Sequence, residues 1–513
     1  MSGESPLVVI AFDAGDPGFL LRWAEEGSLP TFAGLLKRGC WGKLADPEQI
    51  SEWGTWRSLL SGVSRARHGC YYFRQLVPGT YDLRLFDPRK AAAAPFWAHL
   101  HGEQARRIAV IDPPESPIVS GLEGLQLLDW ATRWLPQHSV EAVGEPRELL
   151  DIAGRVFGPQ ISISDYSPRL DPVEDGALHR LLLERVEKKG RLVRHLLERG
   201  PVDLLVAGFY EGHDAAHRFW DYGAGSRLGA IPGAGELGGA IRDVYQAIDR
   251  QVGAILAALP DTANVFVISC YGMESMYPMG GIVDGLLPLL GYQPALVSDS
   301  FRPAHLLRRM VPHRLRVALN RRVPVAAQER LLAAAFRDAT NWKQTTAFAI
   351  PSVFSGLLRV NLRGREPQGI VEESEYDGML ERLEEDFRSL VDPRTGAPVV
   401  KSITRAVPQF GDRPPEVLPD LFVEWRPNPR FVDRVEHPRG VVTQPEPGYF
   451  RSSYHSHEGL FAAAGPAIRA RGQVERMDLL DLAPSFLSLL GVPTPSEMTG
   501  RPVLRYFSSS TTS

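Results

Sequence analysis

The chain has 513 residues, 57 Lys plus Arg against 61 Asp plus Glu, a net charge of -4, and only three cysteines, Cys40, Cys70 and Cys270. That length exceeds what one growing core serves, so one large domain with insertions or two domains are expected. The charge balance excludes a global drive toward nucleic acid or an anionic membrane, and the cysteines are too few for a disulfide framework or a Cys-rich zinc module. The early apolar run "PLVVIAF" lacks a basic flank and is too short to span a bilayer, so a soluble, cytoplasmic protein is the expectation.

In chain order, "LVVIAF" at 7–12 reads as a buried strand ending at Asp13 and Gly15, and "GFLLRWAEEGSLPTFAGLLKRG" follows with helical spacing broken near Gly27 and Pro30. The unit recurs: "RLLLERVEKKGRLVRHLLERG" precedes the strand "VDLLVAGFY", and "IRDVYQAIDRQVGAILAALP" precedes "NVFVIS". Continuous apolar strands alternating with helices predict an α/β fold, a central mostly parallel sheet with helices on both faces. Ligands of such sheets bind beyond the carboxyl ends of the strands, where Asp13, His213 and Cys270 fall.

From 300 to 345 the pattern changes. "FRPAHLLRRMVPHRLRVALNRRVPVAAQ" carries seven arginines and no acid, which reads as a solvated basic helical face before an anion-collecting cap. "SGLLRVNLRGREPQGIV" alternates like a strand with a tight turn in which Arg365 and Glu366 pair, "EYDGMLERLEEDFRSLV" is a charged helix, and "DLFVEW", entered through a structural Asp420, is a strand. The rest of 408–450 is expected to be mostly loop. "MDLLDLAPSFLSLLG" is a helix with Asp481 as its N-cap and Gly491 as its stop. The expected organisation is a core in two parts, 1–294 and 441–506, around an inserted helical and α+β cap at 295–440, with 507–513 a disordered tail.

Two stretches carry chemistry. In "YEGHDAAHRFWDY", His213 and His217 sit four apart and share a helix face, a spacing that suits one metal ion. Asp214 lies where a metalloprotease has glutamate, one methylene too short for that role. The alternative without a metal has one histidine capping the helix and the other on its surface, paired with Glu211 or Asp221. In "ISEWGTWRSLLSGVSRARHG", hydroxyls at a helix start ordinarily cap backbone N–H groups, yet one placed beside Asp13 is positioned as a nucleophile.

Six segments taken together resemble the type I phosphodiesterase/nucleotide pyrophosphatase group of the alkaline phosphatase superfamily. In order they are "VVIAFDAGDPGFLLRWAEEGSLPTFAGLLKRGCWGKL", "TWRSLLSG…RHG", "FYEGHDAAHRFW", "VFVISCYGM", "HSHEGLFAAAGPAI" and "DLLDLAPSFLSLLGVPTPSEMTGRPV". The resemblance implies divalent metal ions, usually zinc, at the carboxyl edge of the sheet, a Ser or Thr nucleophile attacking phosphorus, and a small anionic substrate. It places Asp13 on the first metal-binding aspartate, His217 on the histidine of an Asp-x-x-x-His pair whose first member is His213 here with Asp214 one residue late, and His455, with His457 as neighbour, on the late histidine. The nucleophile position falls on Glu52, with Ser51 beside it and Thr55 as second choice.

The departure is at "SCYGM", where the family has Ser-Asp-His-Gly-Met and uses the Asp and His as metal ligands. Cys270 can ligate zinc; Tyr271, a phenol with a pKa near 10, is a poor ligand. One site built from Asp13, His213 or Asp214, His217 and His455 is therefore expected, and a second is expected to be damaged. Three readings follow: a metal-dependent phosphate ester or diester hydrolase with a remodelled centre, a single-metal enzyme running a different hydrolysis or transfer, and a pseudoenzyme that binds a ligand or partner.

Overall fold

The computed structural model describes residues 5–50, 52–87, 93–131, 141–159, 170–223, 235–294, 325–406, 415–447 and 451–507. Two compact units divide the chain: residues 1–70, 87–275 and 451–513 form the first, and residues 71–86 and 276–450 the second. Among the described residues no helix is long and apolar enough to cross a membrane. The Arg-rich stretch up to 324 and the tail from 508 lie outside the described residues.

The first unit is built on a ten-stranded sheet. Leu7–Phe12 lies at its centre, parallel to Leu204–Phe209 on one side and to Asn264–Ser269 on the other. Ile108–Ile111 and Gly124–Leu128 extend the parallel part, while Glu458–Ala464 runs antiparallel between Asn264–Ser269 and Cys40–Ala45. This is the mostly parallel, alkaline phosphatase-like α/β architecture that the alternating strands and helices predicted.

The central strand shows why its run is apolar without alternation. Val8, Ile10 and Phe12 point into one hydrophobic layer, against Leu20, Phe32, Val186 and Ile248 of covering helices, while Leu7, Val9 and Ala11 point into the other, with Leu59, Phe266 and Phe486. A strand buried on both faces has no polar side to show. Each large apolar side chain so buried contributes about 1.5–3 kcal/mol. Helices Pro17–Glu25 and Pro30–Arg38 start at prolines, where the missing N–H is harmless, and the break between them includes Gly27 at φ 78°. The helix read at 180–200 extends further towards the N-terminus, as Pro172–Leu197, and begins at Asp171, whose carboxylate accepts from the Val173 and Glu174 backbone N–H groups.

At the C-terminus the sequence reading needs one correction. Asp481 sits at the start of Leu482–Leu489, but its carboxylate accepts from the Arg501 backbone N–H at 2.8 Å and makes no capping bond, because proline at 484 removes a donor from the first turn.

The second unit contains a four-stranded antiparallel sheet in the order Ala347–Ile350, Gly356–Val360, Leu421–Trp425, Val400–Arg405. The helix Tyr376–Arg388 packs with it through Leu380, Leu383 and Phe387, a helical face in an otherwise charged sequence. Arg365 is held by Glu366 at 2.9 Å and by both oxygens of Asp420 at 2.7 Å, so these three residues form a buried structural cluster. The stretch 408–450 is less loop-like than its prolines suggest: Arg434–His437 and Gly440–Thr443 pair as a hairpin.

Candidate metal centre

The site belongs wholly to the first unit. Register explains its convergence: Phe12 pairs with Phe209 and Ala11 with Ile268, so the residues following three neighbouring strands, Asp13, Tyr210 and Cys270, emerge side by side. The Asp13 backbone N–H bonds the Phe209 carbonyl at 2.9 Å, carrying the pairing one residue past the strand.

The helix Glu211–Phe219 starts directly after Leu204–Phe209, and all nine of its residues are buried. The surface-histidine alternative is thereby excluded. Polar side chains in such a helix need partners inside the protein. Glu211 and Asp214 find them in Arg185, at 2.8 and 2.5 Å, and Lys189 stands 3.2 Å from Glu211; all four side chains are fully buried. Asp214, one of the two candidates beside His217, is thus turned to Arg185, because one residue along a helix rotates a side chain by about 100°. Asp221 faces Ser452, and Glu211 serves the cations, so neither pairs with a histidine of this helix. Gly212 is required by close packing: a Cβ there would meet Phe12 Cε1 at 2.7 Å.

His213 and His217 lie one turn apart with ring centroids 4.6 Å from each other and planes tilted by 53°, and His455 of the strand Ser453–Ser456 closes the group. The Nε2 atom of His455 lies 3.0 Å from that of His213 and 3.2 Å from that of His217. Nitrogens bound tetrahedrally to one zinc ion at ~2.05 Å stand about 3.3 Å apart. Both spacings from His455 suit a single ion, the candidate ligand atoms of the three rings all lie within 4.8 Å of one another, and among the described residues they are the one group of three or more metal-capable side chains. His455 is neutral as ligation requires: burial pushes it down to about 4, and Glu52 offsets only part of that.

Asp13 and Cys270 do not join this group. Asp13 Oδ2 contacts His213 Nδ1 at 2.5 Å, while its Oδ1 accepts from Trp56 Nε1 at 2.7 Å and from the Tyr271 hydroxyl at 2.8 Å. Burial raises the Asp13 carboxyl, but His213, Tyr271 and Trp56 together outweigh it and hold the group at about 2. Cys270 is a buried free thiol pushed well above its ordinary range by burial and by the Asp13 charge, the opposite of what a thiolate ligand needs. Tyr271 is pushed up for the same reasons and acts as a donor.

The nucleophile candidates separate. Ser51 lies outside the described residues. Thr55 is 2 % exposed, and its hydroxyl accepts from Arg65 Nη2 at 2.5 Å, inside an ion cluster that Arg65 forms with Asp46 and Glu48. It is a structural hydroxyl. Glu52 does reach the centre: its Oε1 lies 3.5 Å from His455 Nδ1, longer than a well-formed hydrogen bond, and it accepts from the Tyr454 hydroxyl. Burial favours its neutral form, but His455 and Tyr454 prevail and hold it at about 2. Gly54, at φ 80°, makes the turn from Glu52 into the helix Thr55–Ser61; a Cβ there would sit 2.4 Å from the Cys70 carbonyl.

Arg451 was missed in the sequence. Its guanidinium lies against His217, with Nη2 on His217 Nε2 and Nε 3.2 Å from Nδ1, and it must move for an ion to bind there. Ser453 Oγ is 3.2 Å from the same Nδ1. Arg451, Ser453 and His455 follow a period of two, one face of an extended segment, and that spacing was the available signal. A second tempting pair is not catalytic: Ser58 Oγ lies 2.9 Å from His68 Nε2, but His68 Nδ1 accepts from the Cys70 N–H, so Nε2 carries the proton and cannot act as the serine's base.

Three comparisons bear on identity. Among solved structures, an inactive variant of murine ectonucleotide pyrophosphatase/phosphodiesterase 5 in complex with AMP is 13% identical, covers 96% of each chain, and superposes with a TM-score of 0.48. The human protein of the same name is 12% identical over 98% of this chain and 100% of its own, with a TM-score of 0.48. No curated protein matches the chain by sequence. The family model for type I phosphodiesterase/nucleotide pyrophosphatase matches residues 7–449, a span that takes in Asp13, Glu52, His213 and His217, and the chain belongs to that family.

Proposed function

We propose that this protein is a metal-dependent hydrolase of phosphate esters or diesters, working with one divalent ion, zinc by the chemistry of its donors, held by His213, His217 and His455. The observation that carries the reading is the convergence of three buried Nε2 atoms at the carboxyl edge of the sheet in a chain of this family. A bound ion supplies Lewis acidity to a phosphoryl oxygen or lowers the pKa of a water. The chain's own residues do the rest. Asp13 and Glu52 keep their protons off and face the outer nitrogens of His213 and His455. Arg451, once displaced from His217, is the cation next to the centre, suited to a small anionic substrate. Ser51 and Glu52 are the two groups at the nucleophile position. The buried free thiols Cys40, Cys70 and Cys270 support a reducing compartment.

One observation favours a second reading, a scaffold without turnover: the Arg451 guanidinium sits on the ion-facing nitrogen of His217. Hydrolysis of bis-p-nitrophenyl phosphate and p-nitrophenyl phosphate with added zinc decides between them. Turnover is expected, falling by roughly 100-fold or more in His217→Ala, the scale set by loss of an essential group. Turnover unchanged in that variant refutes the assignment, and none in the native protein leaves the scaffold. Ser51→Ala and Glu52→Gln then separate the nucleophile candidates.

A further inference from the structure

We infer that the centre is mononuclear by construction: Asp13 and Glu52 orient imidazole ligands from their outer side instead of binding an ion, and Tyr271 with Trp56 fills the place beside Asp13 that a second ion would need. The inference rests on the reading above that the three histidines hold a metal.

Both carboxylates lie on the Nδ1 side of their histidines, Asp13 at 2.5 Å from His213 and Glu52 at 3.5 Å from His455, while the Nε2 atoms turn toward each other. A neutral imidazole that gives its Nδ1 proton to a carboxylate has its lone pair on Nε2, so Asp13 fixes at His213 the tautomer that ligation uses, while Glu52 only places a negative charge on the outer side of His455. Three of the roughly four acceptor positions of the Asp13 carboxylate are already taken, both of those on Oδ1 among them. Three donors converge on its two oxygens: the His213 ring, the Trp56 indole and the Tyr271 hydroxyl. A cation approaching that carboxylate would meet their hydrogens. Tyr271 and Trp56 together satisfy Oδ1 with neutral N–H and O–H groups, and Asp13 is only 3 % exposed, so the carboxylate is satisfied without a second positive ion. Cys270 does not replace the missing ligand, since among the described residues it stays out of the histidine group and is 1 % exposed. Asp13 is accordingly a positioning residue, acting on the ion through His213.

Elemental analysis and zinc titration of the full-length protein, with X-ray absorption at the zinc edge, test this. One ion per chain with three imidazole nitrogens is expected. Asp13→Asn should weaken zinc binding by roughly 10–100-fold while leaving the ligand set seen by absorption unchanged, the signature of an outer partner. Cys270→Asp with Tyr271→His should take up a second ion. Tyr271→His alone, which alters the buried site less, should do so at raised zinc if the double variant fails to fold. Two ions in the native protein, or a zinc-bound oxygen lost in Asp13→Asn, overturn the inference and leave the proposed function standing. A folded Tyr271→His that still saturates at one ion overturns the filler role of Tyr271. No ion in the native protein defeats both the inference and the reading beneath it.

Discussion

Arg185→Met is the perturbation that asks most of the structure. Arg185 reaches from the long helix Pro172–Leu197 to the helix Glu211–Phe219 and bonds Glu211 and Asp214 on either side of His213. All three side chains are fully buried. With Arg185 gone, Asp214 loses its 2.5 Å ion pair, and Glu211 keeps Lys189, which at 3.2 Å from Glu211 and 3.7 Å from Asp112 already serves two carboxylates. Breaking a buried ion pair by removing one partner costs about 3–5 kcal/mol, because the abandoned charge can neither pair nor reach water. That is a large share of the roughly 5–15 kcal/mol that a domain has. Urea unfolding followed by fluorescence should show the loss in the first unit, and zinc titration should show weaker binding, since His213 lies between the two abandoned acids. Adding Asp214→Asn to Arg185→Met removes one of the stranded charges, so the double variant should be less destabilised than the sum of its parts, by about 1–3 kcal/mol. A cost below about 1 kcal/mol for Arg185→Met, or strict additivity in the cycle, would refute the view that this network holds the helix in place.

Two further outcomes are expected. Burial is the main cause that raises the Glu115 carboxyl from 4.5 to about 7. Because the folded protein holds this proton more tightly than the unfolded chain, the group's contribution is fully present below pH 4.5 and is lost as pH rises toward 7 and beyond, by an amount of order 3 kcal/mol. Glu115→Gln keeps an acceptor for the Gly54 N–H and should flatten this slope, unfolding at higher temperature than the native protein at pH 8; parallel pH profiles would contradict the assignment. Gly212→Ala puts a methyl 2.7 Å from the Phe12 ring and 3.2 Å from Tyr245, so the helix must shift at a cost of about 1–3 kcal/mol, and calorimetry should record weaker zinc binding. Unchanged zinc affinity there would mean that helix seating does not set the geometry of His213 and His217.

The readable part of this protein lies where one local pattern dictates one environment. The runs at 7–12 and 204–209 carry no polar side chain, the run at 264–269 carries them only at its two ends, Asn264 and Ser269, and only a strand covered on both faces suits such runs. The helix Ala240–Leu256 likewise follows from its apolar spacing, and the metal-site edge follows from where strands end. Sequence thus determined the fold, the edge at which the site forms and the identity of His213, His217 and His455 as its candidates. It did not determine how the carboxylates divide between roles. Asp214 looked as good a ligand as His213 because a spacing of three or four fits both; the tertiary structure decided, since Arg185, 29 residues earlier in the chain, claims Asp214. Asp13 looked like a ligand because the family resemblance places it on a metal-binding aspartate, yet Trp56 and Tyr271 reach it from 43 and 258 residues away. Side-chain partners brought together across such separations leave no trace in local periodicity, because nothing in a window of ten residues records which hydrogen-bond donor the folded chain will deliver.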